Sequence, residues 1–202
     1  CVDLGCGAGE MLKFFADDVN VRVGLDFSES MLAAAGQALA GRDIRLVSED
    51  AFAFLPRTDI PVWSTTGAMN QYLPAEELER LVGIFAQNPS ARAFFLFDCI
   101  DPLRYPLLGM GIGYLGSDAP GGSLRDGLRT LYVRARFCVA LMTGALQQQV
   151  RWLGDPAMGY AVAPGFWRRL ARVHDLSVEM VSSRYYEYRY HAILRKTVRT
   201  HE

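Results

Sequence analysis

The opening ten residues, C-V-D-L-G-C-G-A-G-E, constrain this chain more than any other stretch. Cys1 to Leu4 read as the end of a buried strand. Gly5, Gly7 and Gly9 follow at intervals of two. Without a Cβ, glycine lets the backbone reverse sharply and lets a ligand lie against bare main chain. A helix is expected next, from about Glu10 to Ala16, presenting its unpaired N–H groups to the turn. Val21 to Asp26, V-R-V-G-L-D, then read as a second strand that ends in a carboxylate. A carboxylate about 20 residues beyond a glycine turn is the spacing with which βαβ units hold a ribose. This predicts a parallel α/β sheet with a site at its carboxyl edge.

Two ligand classes compete for such a turn. A dinucleotide fingerprint, G-x-G-x-x-G, would place its third glycine where Glu10 stands. A carboxylate at a helix start repels a pyrophosphate. A cationic sulfur compound with an amino-acid tail meets no such objection, and Asp3 suits an ammonium group better than a phosphate.

With D-x-G-x-G-x-G (Asp3 to Gly9) followed by G-x-D-x-S-x-x-M-L (Gly24 to Leu32), the chain resembles the class I S-adenosylmethionine-dependent methyltransferases. The likeness runs in order over nearly the whole chain. It implies a doubly wound, Rossmann-like sheet of seven mostly parallel strands with an antiparallel last strand. It also implies S-adenosylmethionine as cofactor, S-adenosylhomocysteine as product, and no metal. By the same resemblance Asp3, Gly5, Cys6, Gly7 and Gly9 contact the cofactor, and Asp26 accepts both ribose hydroxyls. Asp50 takes the adenine amino group, with the Ala51 or Phe52 amide near the ring. Phe27 and Met31 sandwich the adenine, although ordinary core packing is the competing fate of both. Ser64 and Thr65 lie at the methionine end.

The remaining segments supply what such a sheet needs. Ser28 is a candidate N-cap for a helix over Ser30 to Ala40. Ile44 to Val47, Pro61 to Ser64 and Ala93 to Phe97 read as strands three to five. Ala75 to Ala86 read as a helix with Leu78, Leu81, Val82 and Phe85 on one face. Phe166 to Val173 form the last helix, and Leu176 to Ser182 with Tyr188 to Lys196 a closing hairpin. Residues 1–202 are expected to form one methyltransferase domain whose N-terminal part precedes Cys1. Residues 103–160 interrupt the pattern as a helical insertion. Leu124 to Leu146 carry an apolar stripe there, to be buried as a lid or in a homodimer.

Charge separates the candidate functions. Net charge is −1, so the chain lacks the overall basicity of a nucleic-acid enzyme. Residues 102–172 nevertheless hold nine arginines against three acids, which suggests an anionic substrate or merely solvated helix faces. No apolar stretch is long enough to span a bilayer. The four cysteines lack metal-ligand spacing, so reduced thiols and a cytoplasmic location are expected. Methylation of O or N on a small molecule is the leading function. The alternatives are a nucleic-acid methyltransferase, a protein methyltransferase and a non-catalytic cofactor-binding module. Ser64-Thr65-Thr66-Gly67 is not the Asp/Asn-Pro-Pro-aromatic run that grips a flipped amino base. Methyl transfer at a sulfonium needs no fixed catalytic constellation. The acceptor-side candidates are therefore broad: Asn70, Tyr72, Tyr105 and Trp152 for substrate contact, with Asn70, Tyr72 and Tyr185 the candidates for catalysis. His191 is expected to be structural.

Overall fold

The computed structural model describes residues 1–15, 22–102, 104, 149–151, 159–186 and 188–197. The strands are β1 (Val2–Leu4), β2 (Val23–Asp26), β3 (Arg45–Ser48), β4 (Val62–Thr66), β5 (Ala93–Ile100), β6 (Gln149–Arg151), β7 (Tyr160–Val162), β8 (Leu176–Ser182) and β9 (Arg189–Lys196). Seven of them form one sheet in the order β3-β2-β1-β4-β5-β9-β8. The first five run parallel; β9 pairs antiparallel with β5 on one side and β8 on the other. This is the expected doubly wound sheet with its antiparallel last strand. The strand order reverses between β1 and β4, where open α/β sheets place their ligands.

β1 and β2 are buried throughout, as central parallel strands covered on both faces must be. The helices are α1 (Glu29–Ala38), α2 (Ala51–Phe54), α3 (Ala68–Tyr72), α4 (Ala75–Gln87) and α5 (Pro164–Val173). Ser28 caps α1 as expected, its Oγ accepting from the Met31 N–H at 3.4 Å. The predicted face of α4 is fully buried at Leu78, Leu81, Val82 and Phe85. Pro164 starts α5 at a position where its missing N–H costs nothing. That helix buries Phe166, Trp167, Leu170 and Ala171 in the same core. Trp63 of β4 packs edge-on against Phe85 and Phe94, at 5.4 and 5.9 Å between ring centroids.

Several expectations need correction. The glycine turn leads into a single 3-10 turn, Leu12–Phe14, not an α-helix beginning at Glu10. No side chain caps that turn. Leu12 is drawn into a small cluster with Cys6, Ala35 and Leu39, and the Arg42 guanidinium donates to the Lys13 carbonyl at 2.9 Å. Residues 51–54 and 68–72 form two short helices that were not among the expected elements. β5 continues to Ile100 through a register shift between Leu96 and Cys99. Part of the supposed helical insertion is extended: β6 and β7 pair antiparallel as a separate ribbon. Leu124 to Leu146, Tyr105 and Trp152 lie outside the described residues.

Candidate active site

Register sets the floor of the site. Leu4 pairs with Leu25 on one side and Thr65 on the other, so Gly5 and Asp26 emerge together one residue further along. Gly5, Gly7 and Gly9 have φ of 65°, 53° and 80°, the left-handed region that side chains with a Cβ resist. The second and third glycines serve different ends. A Cβ on Gly7 would meet nothing within 4 Å, so its face is open to the cleft. A Cβ on Gly9 would sit 2.7 Å from Cδ1 of Leu39. Gly9 therefore lets the turn pack against the end of α1.

Asp26 closes the turn. Its Oδ2 accepts the Gly7 N–H and its Oδ1 the Ser28 N–H, both at 2.9 Å. A carboxylate offers about four lone-pair sites, so two remain for ligand hydroxyls. The cleft above has a volume of about 580 Å³ and is bounded by this turn, the ends of β2 and β3, α2 and α3. Phe27 and Met31 form its outer lip, 86% and 48% exposed. Asp50 caps α2 through Oδ1, which accepts the Ala53 N–H at 3.1 Å, and brings Ala51 and Phe52 to the wall. The Arg80 guanidinium lies 4.5 Å from the Phe52 ring centroid and holds that ring. Tyr72, 61% exposed, completes the wall with Met69 and Leu73.

Other expected contacts do not line the cavity. Asp3 is 1% exposed and sits opposite Ser64 across the β1–β4 pairing. The Ser64 hydroxyl donates to Asp3 Oδ1 at 2.9 Å. Burial pushes the Asp3 carboxyl up to about 6, against the lesser pull of that hydrogen bond. Thr65 is buried, and its Oγ1 accepts the Met69 N–H at 3.4 Å, tethering α3. The Cys6 side chain packs with Leu12, Ala35 and Leu39, and its N–H is spent on the Leu25 carbonyl at 3.0 Å.

Asn70 turns inward. Its Nδ2 donates to the Phe97 carbonyl at 3.1 Å and lies 3.1 Å from Cys99 Sγ. It is 1% exposed and fastens α3 to β5 from outside the cleft. Tyr185 stands at the β8–β9 hairpin, 82% exposed and away from the cleft lining. His191 Nδ1 accepts the Asp98 N–H at 3.1 Å, a structural role as expected. Burial pushes the Cys99 thiol up to about 12, so it is no thiolate nucleophile at neutral pH. Burial pushes Cys6 to about 12 as well, with Asp3 and Asp26 adding to the effect.

The reading from sequence missed Ser28, Glu49, Met69 and Leu73 as lining residues. Met69 and Leu73 stand four apart, the spacing of one helix face. Glu49 also forms an ion pair with Arg57. Asp26, Glu49 and Asp50 give the cleft its charge, and no Lys, Arg or His appears among its described lining residues. That balance favours a cationic ligand and opposes a diphosphate.

Residues 1–87 match the family described as "Methyltransferase domain". No curated protein matches the sequence. Among solved structures, a possible exported protein from Bordetella parapertussis is 16% identical with a TM-score of 0.56. The match covers 98% of this chain but 62% of that one, so this chain spans less than two thirds of that protein. Magnesium protoporphyrin IX methyltransferase from Synechocystis PCC 6803, solved with S-adenosylhomocysteine, is 18% identical with a TM-score of 0.53; 97% of this chain and 73% of that one are covered. The plantazolicin methyltransferase BpumL, in complex with a monoazolic desmethylPZN analogue and S-adenosylhomocysteine, is 14% identical with a TM-score of 0.55, covering 97% and 75%. At these identities the likeness is one of fold. The chain thus matches the methyltransferase domain over residues 1–87, on the Rossmann-like fold of the class I S-adenosylmethionine-dependent methyltransferases.

Proposed function

We propose that this chain transfers a methyl group from S-adenosylmethionine to an oxygen or nitrogen of a small-molecule acceptor. The observation that carries the reading is Asp26 joined to Gly7 in one cleft with Asp50 and the Phe27–Met31 lip. The residues present fit the cofactor. Asp26 has acceptor capacity left for vicinal hydroxyls, Gly7 leaves its face bare, and Ala51, Phe52 and Met31 offer apolar walls for a purine. When bound, the cofactor supplies an electrophilic methyl group on a cationic sulfur. The cleft carboxylates favour that positive charge. α3, fixed by Thr65 and Asn70, sets the wall against which an acceptor is oriented. Orientation and exclusion of water supply the rate, since the leaving thioether needs no proton.

Two of the similar structures are named as methyltransferases, one of magnesium protoporphyrin IX and one of plantazolicin, which supports a small acceptor. The test is a screen of metabolite fractions with methyl-labelled cofactor. The reading expects label in a small molecule. Label found only in protein or nucleic acid would contradict it.

A further inference from the structure

A second cavity, of about 100 Å³, opens where the first turn of α5 meets the ends of β5, β8 and β9. It lies on the same edge of the sheet as the cofactor cleft, because the carboxyl end of β5 faces that way and β9 enters antiparallel from it. β9 stands three strands from β1, or roughly 14 Å at the usual strand spacing. A small acceptor can bridge that distance.

Its lining carries three guanidinium groups, from Arg104, Arg168 and Arg189, and one carboxylate, from Asp101. Arg104 lies 3.6 Å from Asp101 and is half exposed, so that pairing leaves most of its donor fork unused. Arg189 is tied to Asp98 outside the cavity and lies over the Tyr186 and Tyr188 rings, at 5.3 and 5.4 Å to their centroids. Its Nε is buried without a hydrogen-bond partner among the described residues. Arg168, on the exposed side of α5, makes no ion pair or hydrogen bond among the described residues. All three arginines lining the cavity thus keep spare donors: Arg168 its whole fork, Arg104 most of its own and Arg189 its buried Nε. Guanidinium forks match carboxylate and phosphate oxygens. Arg104 and Arg168 also belong to the basic middle segment of the sequence.

Resting on the methyltransferase reading, we infer that the acceptor is anionic and that its oxyanion is held by Arg168 and Arg189, with Arg104 at the cavity mouth. The cofactor cleft is acidic and this cavity is basic, so the two ends of the shared edge sort the two ligands by charge.

The test uses calorimetry on the full-length protein with inorganic phosphate and with benzoate as probes. At least one should bind saturably. Arg168→Gln and Arg104→Gln should each weaken it about tenfold, the worth of one charge-assisted hydrogen bond. Arg172→Gln, on the same helix but outside the cavity, should change nothing. Phosphate binding alone would mark a phosphorylated acceptor, and benzoate alone a carboxylic acid. Absence of saturable binding, or equal binding by all variants, would overturn the inference. A neutral acceptor methylated equally well by wild type and Arg168→Gln would do the same. S-adenosylhomocysteine titrated in parallel separates the two failures: if it binds while the anions do not, only the oxyanion site is lost. If it does not bind either, the methyltransferase reading falls too.

Discussion

Asp26 performs two tasks with one carboxylate: it ties the glycine turn to β2 and keeps acceptor capacity facing the cleft. Asp26→Ala removes both, and S-adenosylhomocysteine affinity should fall about a hundredfold or more by calorimetry. Asp3 makes a different prediction. Its carboxyl ordinarily titrates near 3.8 and is raised to about 6 in the fold. Between those values the native state keeps a proton that the unfolded chain has released. Stability is therefore full below about pH 4 and declines as pH rises to about 6, by up to about 3 kcal/mol. Asp3→Asn should flatten that window in urea unfolding measured at several pH values. An unchanged slope would show that Asp3 is not the titrating group. At Gly9, Gly9→Ala meets Leu39 at 2.7 Å with φ at 80°. A destabilisation of about 1–3 kcal/mol is expected by thermal or urea unfolding.

Among elements, α3 forms one wall of the cleft, and it is too short to be stable by itself. Three side chains secure it: the Thr65 hydroxyl accepts from Met69, and Asn70 and Gln71 donate to the Phe97 and Asp98 carbonyls. Those carbonyls are presented where β5 shifts register, with Asp98 at φ 63°. Asn70→Ala should cost about 1–3 kcal/mol in unfolding free energy. It should impair methyl transfer more than S-adenosylhomocysteine binding; the reverse order would place Asn70 in the cofactor site. This element also marks how far the sequence could be read. Asp26, Asp50 and the Phe27–Met31 lip follow local rules: a strand end, a cap, a helix start. Each of these positions at the cleft can be read from a few neighbours. The inward turn of Asn70 depends on a β5 irregularity more than 25 residues away, and no local pattern encodes it. The stripe on α4 was legible because 13 helical residues repeat it. The 3-10 turn after Gly9 was not, because Leu12 answers to α1 and not to its own neighbours.

At the scale of the whole molecule, the sheet reverses its strand order between β1 and β4. The acidic cleft lies on one side of that reversal and the arginine-lined cavity on the other, along one edge. Among the described residues no helix is long and apolar enough to cross a membrane. Methyl transfer here requires that the cleft take an adenosyl amino acid. The most direct measurement is calorimetric titration of S-adenosylhomocysteine into the full-length protein and its Asp26→Ala variant, with NAD as a diphosphate control. Saturable one-to-one binding to the wild type, its loss in the variant, and no NAD uptake are expected. NAD binding in place of S-adenosylhomocysteine, or equal affinity in both proteins, would contradict the methyltransferase reading.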